Sequence, residues 1–361
     1  MKISSMLLLL ISFVLSLTMS AQFTVSGKVI DAESKEPLSS ASVFCRNTTQ
    51  GTMSNKLGEF ALSLKPGGYE LIISYSGYTT KQILISNNET AFLEIELSKE
   101  EKNMEEVIIQ SSNLVTDGLE KYGPFFNENF IGATAFAKEC KIQNPEVLQF
   151  YFYRRSNRLK VMATEPLIII NHSLGYKLTY QLDSFLFHYQ TDLSSYRGYC
   201  FYEELQGNYF DRNNWTKNRE AAYFGSRLHF LRSYFDSTLK ENGFIIDIAD
   251  ENAKNNFRRI PDPYDGEYYF YEDSTAEAFL FYKDRIQVTY TKKVPENAFL
   301  KKYILPMNIG VQTSFLNFNK PIVIRQNGFY YNQEELVNQG YWSWKNLADQ
   351  LPYDYEPKIK E

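Results

Sequence analysis

The chain has 361 residues, of which 43% are hydrophobic and 22% are charged. This balance predicts packed domains, two for a chain of this length, and excludes wholesale disorder. The 43 acidic residues outnumber the 38 Lys and Arg residues, and the resulting net charge of −5 argues against nucleic acid as a partner. Aromatic residues make up 16% of the chain, which favours a mainly β fold.

Residues 1–21 have the pattern of a signal peptide. Lys2 supplies a positive start, an apolar stretch follows at 7–17, and small or neutral residues lead to a cleavage site after Ala21. The apolar stretch is too short to span a bilayer comfortably. We therefore expect an exported protein that is not an integral membrane protein after the signal peptide has been removed.

Residues 22–98 alternate short runs of β-forming residues with turn residues such as Gly51, Gly58 and Gly77. The pattern predicts a seven-stranded antiparallel β-sandwich of the prealbumin or immunoglobulin type. The predicted strands are 23–30, 41–46, 52–54, 59–64, 69–75, 78–85 and 92–97. The predicted core residues are Val25, Val29, Val43, Phe60, Leu62, Leu71, Ile73 and Tyr75.

The same segment resembles the carboxypeptidase regulatory-like domain. The motifs that carry the resemblance, in chain order, are Ser26-Gly27-Lys28-Val29, Glu36-Pro37-Leu38, Gly58-Glu59-Phe60 and Pro66-Gly67-Gly68-Tyr69. Domains of this family are not catalytic, and they also precede TonB-dependent transporters and occur in other Gram-negative envelope proteins. The resemblance therefore implies a location in the periplasm or at the outer membrane of a Gram-negative bacterium.

A charged stretch at 99–110 is predicted to be a linker, because residues 99–106 include four Glu and two Lys. We expect proteases to cut the chain there first, and residues 22–98 to fold alone. Residues 111–361 are predicted to form a larger α+β domain that is richer in strands than in helices. Its predicted strands are 147–153, 158–164, 167–171, 176–182, 185–189, 196–202, 244–248, 279–282, 285–291 and 321–325.

Two further patterns refine this larger domain. Apolar and polar residues alternate from Tyr176 to Leu182, and the phase changes at Ser184, which predicts a turn or a β-bulge there. Apolar spacings of three and four residues predict one helix capped by Thr216 and ended by Gly243. Its basic face is expected to be solvated and comprises Lys217, Arg219, Arg227 and Arg232. Shorter helices are predicted at 127–137 and 333–338.

No catalytic, cofactor or metal site is predicted. The chain has no GxSxG, GxxxxGK[ST] or GxGxxG motif. A metallocarboxypeptidase is rejected, because His172, His188 and His229 lack the HxxE or HExxH spacing of a zinc site. Three acidic residues (Asp262, Asp265 and Glu267) would be calcium ligands by type, but their run lacks the ligand number of an EF-hand and favours a turn.

The aromatic patch Tyr341-Trp342-Ser343-Trp344 is the main candidate for ligand binding. In an extended strand Trp342 and Trp344 would share one face and stack on a sugar ring, with Trp215 as the third tryptophan of the chain. In a helix their side chains would point apart. Packing in the core is the competing interpretation.

Three cysteines follow the predicted signal peptide. Cys45 lies in an apolar run and is expected to be a buried thiol. Cys140 and Cys200 are the pair that would form a disulfide in an oxidising compartment, if one forms.

The sequence thus predicts a non-enzymatic, exported protein of the cell envelope. A β-sandwich adaptor domain would be joined to a body that binds an unknown envelope protein or a glycan. The alternative is a carbohydrate-active enzyme or glycan-binding protein that uses its Tyr/Trp-rich C-terminal domain.

Overall fold

A computed structural model of the chain describes residues 22–85, 92–100, 113–191, 193–249, 256–283, 285–331 and 335–358. The predicted signal peptide and linker residues 101–110 lie outside these ranges. Within them, no helix is both long enough and apolar enough to cross a membrane. We call residues 22–98 the module and residues 111–361 the body.

The module has the seven predicted strands, arranged in two sheets. One sheet has the order β4-β1-β7 and the other the order β3-β2-β5-β6. Neighbouring strands are antiparallel except β1 and β7, which are parallel; Gly27 permits this pairing, because a Cβ atom there would lie 2.3 Å from the carbonyl oxygen of Leu93. The strands are β1 (Phe23–Asp31), β2 (Ser42–Cys45), β3 (Gly51–Met53), β4 (Glu59–Leu64), β5 (Tyr69–Ser74), β6 (Lys81–Ile85) and β7 (Phe92–Leu97).

The core of the module forms between the two sheets. Strand β4 alternates strictly, so that Phe60, Leu62 and Leu64 are buried while the residues between them are exposed. All the predicted core residues lie in this cluster, with Tyr75 only partly buried. The period of two that predicted the strands therefore also identifies which side chains form the core.

The first half of the body is a six-stranded sheet. The 13-residue β12 pairs along one edge with β11 and then β10, and along its other edge with β13. Its register shifts between Leu182 and Ser184, which confirms the predicted irregularity as a bulge inside one long strand. The strands are β8 (Cys140–Ile142), β9 (Leu148–Tyr153), β10 (Arg158–Ala163), β11 (Leu167–Asn171), β12 (Tyr176–His188) and β13 (Leu193–Glu204).

The second half of the body contains a five-stranded sheet and a three-stranded sheet. Their strand orders are β15-β14-β18-β19-β21 and β16-β17-β20. The strands are β14 (Phe244–Ala249), β15 (Phe257–Arg259), β16 (Tyr269–Glu272), β17 (Glu277–Leu280), β18 (Arg285–Tyr290), β19 (Gln312–Phe318), β20 (Ile322–Ile324) and β21 (Leu336–Gly340). The strand-rich character predicted for this region is therefore confirmed.

The helices cover these sheets and supply aromatic side chains to two body cores. Phe126 and Phe130 of α1 are fully buried against the six-stranded sheet. Phe230 and Tyr234 of α3 are fully buried in the second core. The helices are α1 (Gly118–Phe130), α2 (Tyr209–Tyr223), α3 (Arg227–Phe235), α4 (Leu239–Asn242), α5 (Asn297–Lys302) and α6 (Tyr341–Trp344).

The prediction of one long helix from residue 216 to residue 242 is wrong. The segment forms α2, α3 and α4, and α2 begins eight residues earlier than predicted because Asn208 and Asp211 form a capping box. The break falls at Gly225, whose φ of +89° is left-handed, and Ser226 then caps α3 by accepting the N–H of His229. Gly243 ends the last helix in a left-handed conformation, as predicted.

The two shorter predicted helices are also misplaced. The helix expected at 127–137 is α1, which begins at Gly118 and contains Pro124. Two residues that disfavour helix interiors, Gly123 and Pro124, concealed its first half. Residues 336–340 form strand β21, which pairs with β19, so the helix predicted at 333–338 is wrong for the described part of that range.

Burial of His229 predicts a loss of stability in acid. The side chain is 4% exposed, and its Nδ1 accepts the Gly225 N–H at 3.2 Å. Burial, with Lys292, Lys293 and Arg232 nearby, lowers the pKa of His229 from 6.5 to about 4. Because the folded-state pKa is depressed, the full stability is present above pH 6.5 and falls as the pH drops toward 4, by about 3 kcal/mol.

This acid sensitivity can be measured by urea unfolding at pH 7.0, 5.5 and 4.5. A His229→Gln variant should be less stable at pH 7, because a packed ring is lost, but should have a shallower pH slope. Equal slopes for the two proteins would contradict the assignment of the loss to His229.

Candidate functional site

The module and the body share a backbone joint. The turn after β2 donates the Asn47 N–H to the Cys200 carbonyl at 2.7 Å, and the Thr48 carbonyl accepts the Tyr202 N–H at 3.0 Å. The Asn47 carbonyl also accepts the Tyr353 N–H at 2.8 Å. This turn of the module therefore lies between strand β13 and the C-terminal segment of the body.

Side chains reinforce the joint. Arg46 Nη1 pairs with Glu70 at 2.7 Å, and Arg46 Nη2 donates to the Gly198 carbonyl at 2.6 Å. Asn327 pairs with both backbone groups of Gly68, accepting the N–H at 3.1 Å and donating to the carbonyl at 2.9 Å. The bonds from Arg46 to Gly198 and between Asn327 and Gly68 cross from the module to the body, so separating the two parts would leave those groups unpaired unless water replaced the partner.

Apolar residues complete the interface. Phe44 and Ile72 face away from the module core and pack against Tyr199 and Phe201 of β13. A side chain at Gly51 would meet the Phe201 ring at 2.7 Å. The body therefore covers apolar surface that the module alone would expose.

A cleft of about 240 Å³ opens beside this interface, and two charged groups in its wall, Arg219 and Asp354, are paired within the protein. Arg219 donates to the Leu174 and Gly175 carbonyls and to Glu204, and its guanidinium lies 3.9 Å from the centre of the Tyr176 ring. Asp354 accepts hydrogen bonds from the Thr49 backbone and side chain and from Gln50. The cleft is therefore interpreted as a boundary between packed segments of the protein.

The predicted basic face is solvated only in part, because Lys217 is exposed whereas Arg219, Arg227 and Arg232 are half-buried. Arg219 is held as described above, and Arg232 donates to the carbonyls of Asn327, Tyr353 and Tyr355 at 2.8–3.0 Å. Both guanidinium groups tie helices of the body to the region around the joint.

A second, more enclosed cavity has different chemistry. Its volume is about 90 Å³, and it lies between α3, β21, α6 and the segment that follows α6. Asn47, whose backbone forms the joint, belongs to its wall. The polar and aromatic residues of its wall include Arg227, Asn338, Trp342, Lys345, Asp349 and Tyr353.

Two oxygen atoms in the wall of this cavity lack hydrogen bonds. Within the described ranges, no group donates to Asn338 Oδ1 or to Asp349 Oδ1, although both atoms are buried. The other carboxylate oxygen of Asp349 accepts the Thr134 hydroxyl at 2.6 Å, and Lys345 Nζ lies 3.4 Å from Oδ1 as an ion pair. Buried acceptors are normally satisfied, so Asn338 Oδ1 requires a donor from water or from a ligand, whereas Asp349 Oδ1 already has Lys345 as an ionic partner.

Charge in the cavity is mixed. Burial raises the pKa of Asp349, while Lys345 and the Thr134 hydroxyl oppose that rise. Arg227 stands on the opposite helix, with its guanidinium 5.4 Å from the centre of the Tyr330 ring. The cavity thus offers two acceptors and two cationic groups within an aromatic wall.

The structure does not bring the three tryptophans together. Trp342 and Trp344 lie on the short helix α6, not on an extended strand, and both are buried. Trp344 packs with Phe299, whereas Trp215 of α2 donates its Nε1–H to the His172 carbonyl at 2.8 Å. The extended strand that a shared sugar-stacking face requires is therefore not formed, and the buried rings agree with the competing interpretation of core packing.

Of the three tryptophans, Trp342 is the one that lines the enclosed cavity. Its Nε1–H donates to the Gly225 carbonyl at 2.7 Å. The aromatic patch therefore contributes one residue to the wall of this cavity, and the sequence analysis did not single out Asn338 or Asp349. Their signal was weak, because lone Asn and Asp residues occur throughout the chain.

The three cysteines are free and buried, as expected for Cys45. No disulfide joins Cys140 and Cys200, because they lie on β8 and β13 and both β11 and β12 intervene in the sheet. Burial raises the pKa of Cys140 to about 12 and that of Cys200 well above its ordinary value. Both thiols are therefore protonated and poorly reactive.

The acidic run near residue 265 forms turns. Asp262 accepts the Tyr264 N–H at 2.8 Å, and Asp265 accepts the Glu267 N–H at 2.9 Å. Across the described ranges, no group of three or more His, Cys, Asp or Glu side chains is arranged to hold a metal ion.

Comparison with known proteins identifies the module. Residues 25–109 match the family model of the CarboxypepD_reg-like domain, which confirms the resemblance read from the sequence. The chain is also 28% identical over 104 residues to a TonB-dependent receptor of Formosa agariphila. That match covers 29% of this chain and 10% of the receptor, so the chain spans about a tenth of that relative.

Two solved structures from Bacteroides show weak likeness. A putative membrane-associated protein of unknown function from Bacteroides fragilis is 13% identical and aligns with a TM-score of 0.19 over 45% of this chain and 65% of its own. A DUF3823 family protein from Bacteroides ovatus is 11% identical, with a TM-score of 0.19 over 52% of this chain and 83% of its own. Neither likeness carries an argument about function.

Proposed function

We propose that this protein is a non-enzymatic binding protein of the Gram-negative envelope. In this proposal the module is an adaptor fixed on the body, and the enclosed cavity of the body receives a hydroxyl-bearing or amine-bearing group of a glycan. The observation that carries the proposal is the buried acceptor Asn338 Oδ1, which has no donor among the described residues and shares the cavity wall with the Asp349 carboxylate. Sugar hydroxyls and amino groups are donors that such acceptors require.

The size of the cavity agrees with this assignment. A volume of about 90 Å³ admits several water-sized groups, since one such group needs about 10–15 Å³. Trp342 and Tyr353 supply apolar walls, while Arg227 and Lys345 supply donors for ring or carboxylate oxygens of the ligand. Pockets that combine aromatic walls with a few convergent polar groups are typical binding sites for small ligands.

Binding is favoured over hydrolysis because a single carboxylate, that of Asp349, lines the described cavity. Glycoside hydrolysis ordinarily uses two carboxyl groups on opposite sides of the scissile bond. Asp349 is also engaged by Thr134 and Lys345, which hold it in place.

The envelope location is supported by the module. CarboxypepD_reg-like sequence occupies residues 25–109, and the receptor that shares part of it is a TonB-dependent receptor by name. The apolar pattern at 7–17 agrees with export.

Isothermal titration calorimetry against a panel of neutral, acidic and amino sugars tests the cavity. For the sugar of this panel that binds most tightly, Asn338→Leu should weaken binding by about tenfold, because one hydrogen bond to the ligand is lost. The same variant should unfold at an unchanged or higher temperature, since it removes an unpaired buried acceptor. Opposite effects on affinity and stability distinguish a ligand contact from a structural one.

Asn317→Leu is the matched control, because Asn317 lies on the neighbouring strand β19 and does not line the cavity. Its affinity for the sugar should equal that of the unaltered protein. Failure of every sugar to bind would overturn the proposal. Release of free sugar that is abolished by Asp349→Asn would instead establish a carbohydrate-active enzyme.

A further inference from the structure

An exposed apolar segment follows helix α5. Residues 303–307 read Tyr-Ile-Leu-Pro-Met, and all five are exposed to solvent. Ile304 is 91% exposed, the highest value among the large hydrophobic residues that the structure describes. A run of this kind on a soluble surface is costly unless it contacts something apolar.

The backbone of this segment is also strained. The Leu305 N–H donates to the Leu300 carbonyl at 2.8 Å, and the Ile304 N–H to the Lys301 carbonyl at 3.3 Å, as in a Schellman motif. That motif places Ile304 in the left-handed region, at a φ of +53°. Glycine usually occupies this position, because a β-branched side chain there is unfavourable.

Strain and exposure occur at the same residue, and the fold gains little from either. A glycine at position 304 would end the helix at lower cost and would remove the exposed side chain. Strained residues that the fold itself does not require are often functional. The exposed side chain of Ile304 therefore indicates a function outside the fold.

The charge around the segment is positive. Lys301 and Lys302 form the last turn of α5, and residues 297–311 contain no Asp or Glu. Lys302 pairs with Glu128 at 2.8 Å. For Lys301, no acidic partner is found in the part of the chain that the structure describes.

We propose that residues 301–307 contact the surface of a lipid bilayer with anionic head groups. Ile304 and Leu305 would enter the outer acyl region, Tyr303 would lie at the level of the head groups, and Lys301 would meet lipid phosphates. Aromatic residues favour that level, and lysine stems extend along apolar surface while keeping their charge in water.

A bilayer suits this exposed segment better than a protein groove does. Its apolar side chains lie in solvent beside Lys301, and fluid lipid needs no matching shape. Apolar burial together with attraction of lysines to anionic lipid is the combination that holds peripheral proteins at membranes. This proposal does not depend on the cavity.

Vesicle flotation of the protein without residues 1–21 tests the contact, since the apolar stretch at 7–17 would itself bind lipid. The probes are vesicles of phosphatidylethanolamine and phosphatidylglycerol at 3:1 and vesicles of phosphatidylcholine alone. We expect flotation with the anionic vesicles, and weaker flotation with the neutral ones. Ile304→Gly should reduce the partition constant on anionic vesicles by about tenfold.

Two measurements separate this result from misfolding. The thermal midpoint of Ile304→Gly should equal or exceed that of the unaltered protein, because backbone strain is removed. Lys301→Glu should reduce flotation with anionic vesicles but not with neutral ones. Leu57→Ser is the control, since Leu57 is 61% exposed in a turn of the module and should not alter flotation.

Absence of flotation with both vesicles would overturn the proposal. Flotation that is unchanged in Ile304→Gly, or that falls equally in Leu57→Ser, would also overturn it. Capture of an envelope protein through Ile304 without vesicle binding would assign the segment to a protein partner instead.

Discussion

Replacing Phe60 with alanine is expected to unfold the isolated module, residues 22–98, or to lower its thermal midpoint sharply. Phe60 is 6% exposed and lies in the cluster between the two sheets. Truncation of a buried Phe costs about 3–5 kcal/mol, which is a large part of the roughly 5–15 kcal/mol that stabilises a domain. Thermal melting followed by circular dichroism measures the effect.

Leu84→Ala is the matched control, because Leu84 is 53% exposed on strand β6 and its truncation should shift the midpoint little. The unaltered fragment has to fold alone for the comparison to hold. In the whole chain the body covers Ile72 and Phe44. The isolated fragment exposes these two side chains, which will lower its solubility. An insoluble fragment, with no protease-sensitive site near residue 100, would show that the proposed boundary is wrong.

Replacing Arg325 with alanine should destabilise the whole chain by about 3–5 kcal/mol. Arg325 is 2% exposed, and its Nη2 lies 2.8 Å from Glu277 and 2.7 Å from the Tyr331 hydroxyl. Nη1 donates to the Thr275 carbonyl. Its truncation leaves the mostly buried carboxylate of Glu277 without its cation, and urea denaturation measures the loss.

The double variant Arg325→Met, Glu277→Leu supplies the control. Removing both charges and keeping apolar volume should restore most of the stability, because the penalty comes from an unpaired charge. A single-variant loss below about 1 kcal/mol would contradict the assigned role.

The module was predictable because its information is local. Strand β4 alternates over six residues, and Gly58 and Gly67-Gly68 fall at turns on either side of it. The bulge after Leu182 was also predictable, since a shift by one residue reverses which side chains face the core. Its confirmation shows that phase changes can be read within a single strand.

The errors came from competition between local signals and from contacts distant in sequence. Apolar spacing continued across Gly225, so it concealed a break that Gly225 and the capping residue Ser226 both favour. Residues 336–340 became a strand because β19, about 20 residues earlier, offers an edge to pair with. Pairing with a distant edge is not visible in a short window.

The cavity was beyond prediction for the same reason. Asn47, Arg227, Asn338 and Asp349 are separated by up to 302 residues of chain and meet only after folding. The lack of a partner for Asn338 Oδ1 is a property of packing, not of residue type.

The joint between module and body has an evolutionary consequence, because much of it consists of main-chain atoms. The groups that meet belong to the backbones of Asn47, Thr48, Cys200, Tyr202 and Tyr353. Every residue type except proline carries both the N–H and the carbonyl group, so most side chains at these positions can change without abolishing the backbone bonds. A homologous sandwich with the same turn after its second strand could be grafted onto this body, and ancestral recombination could have exchanged such units while preserving their orientation.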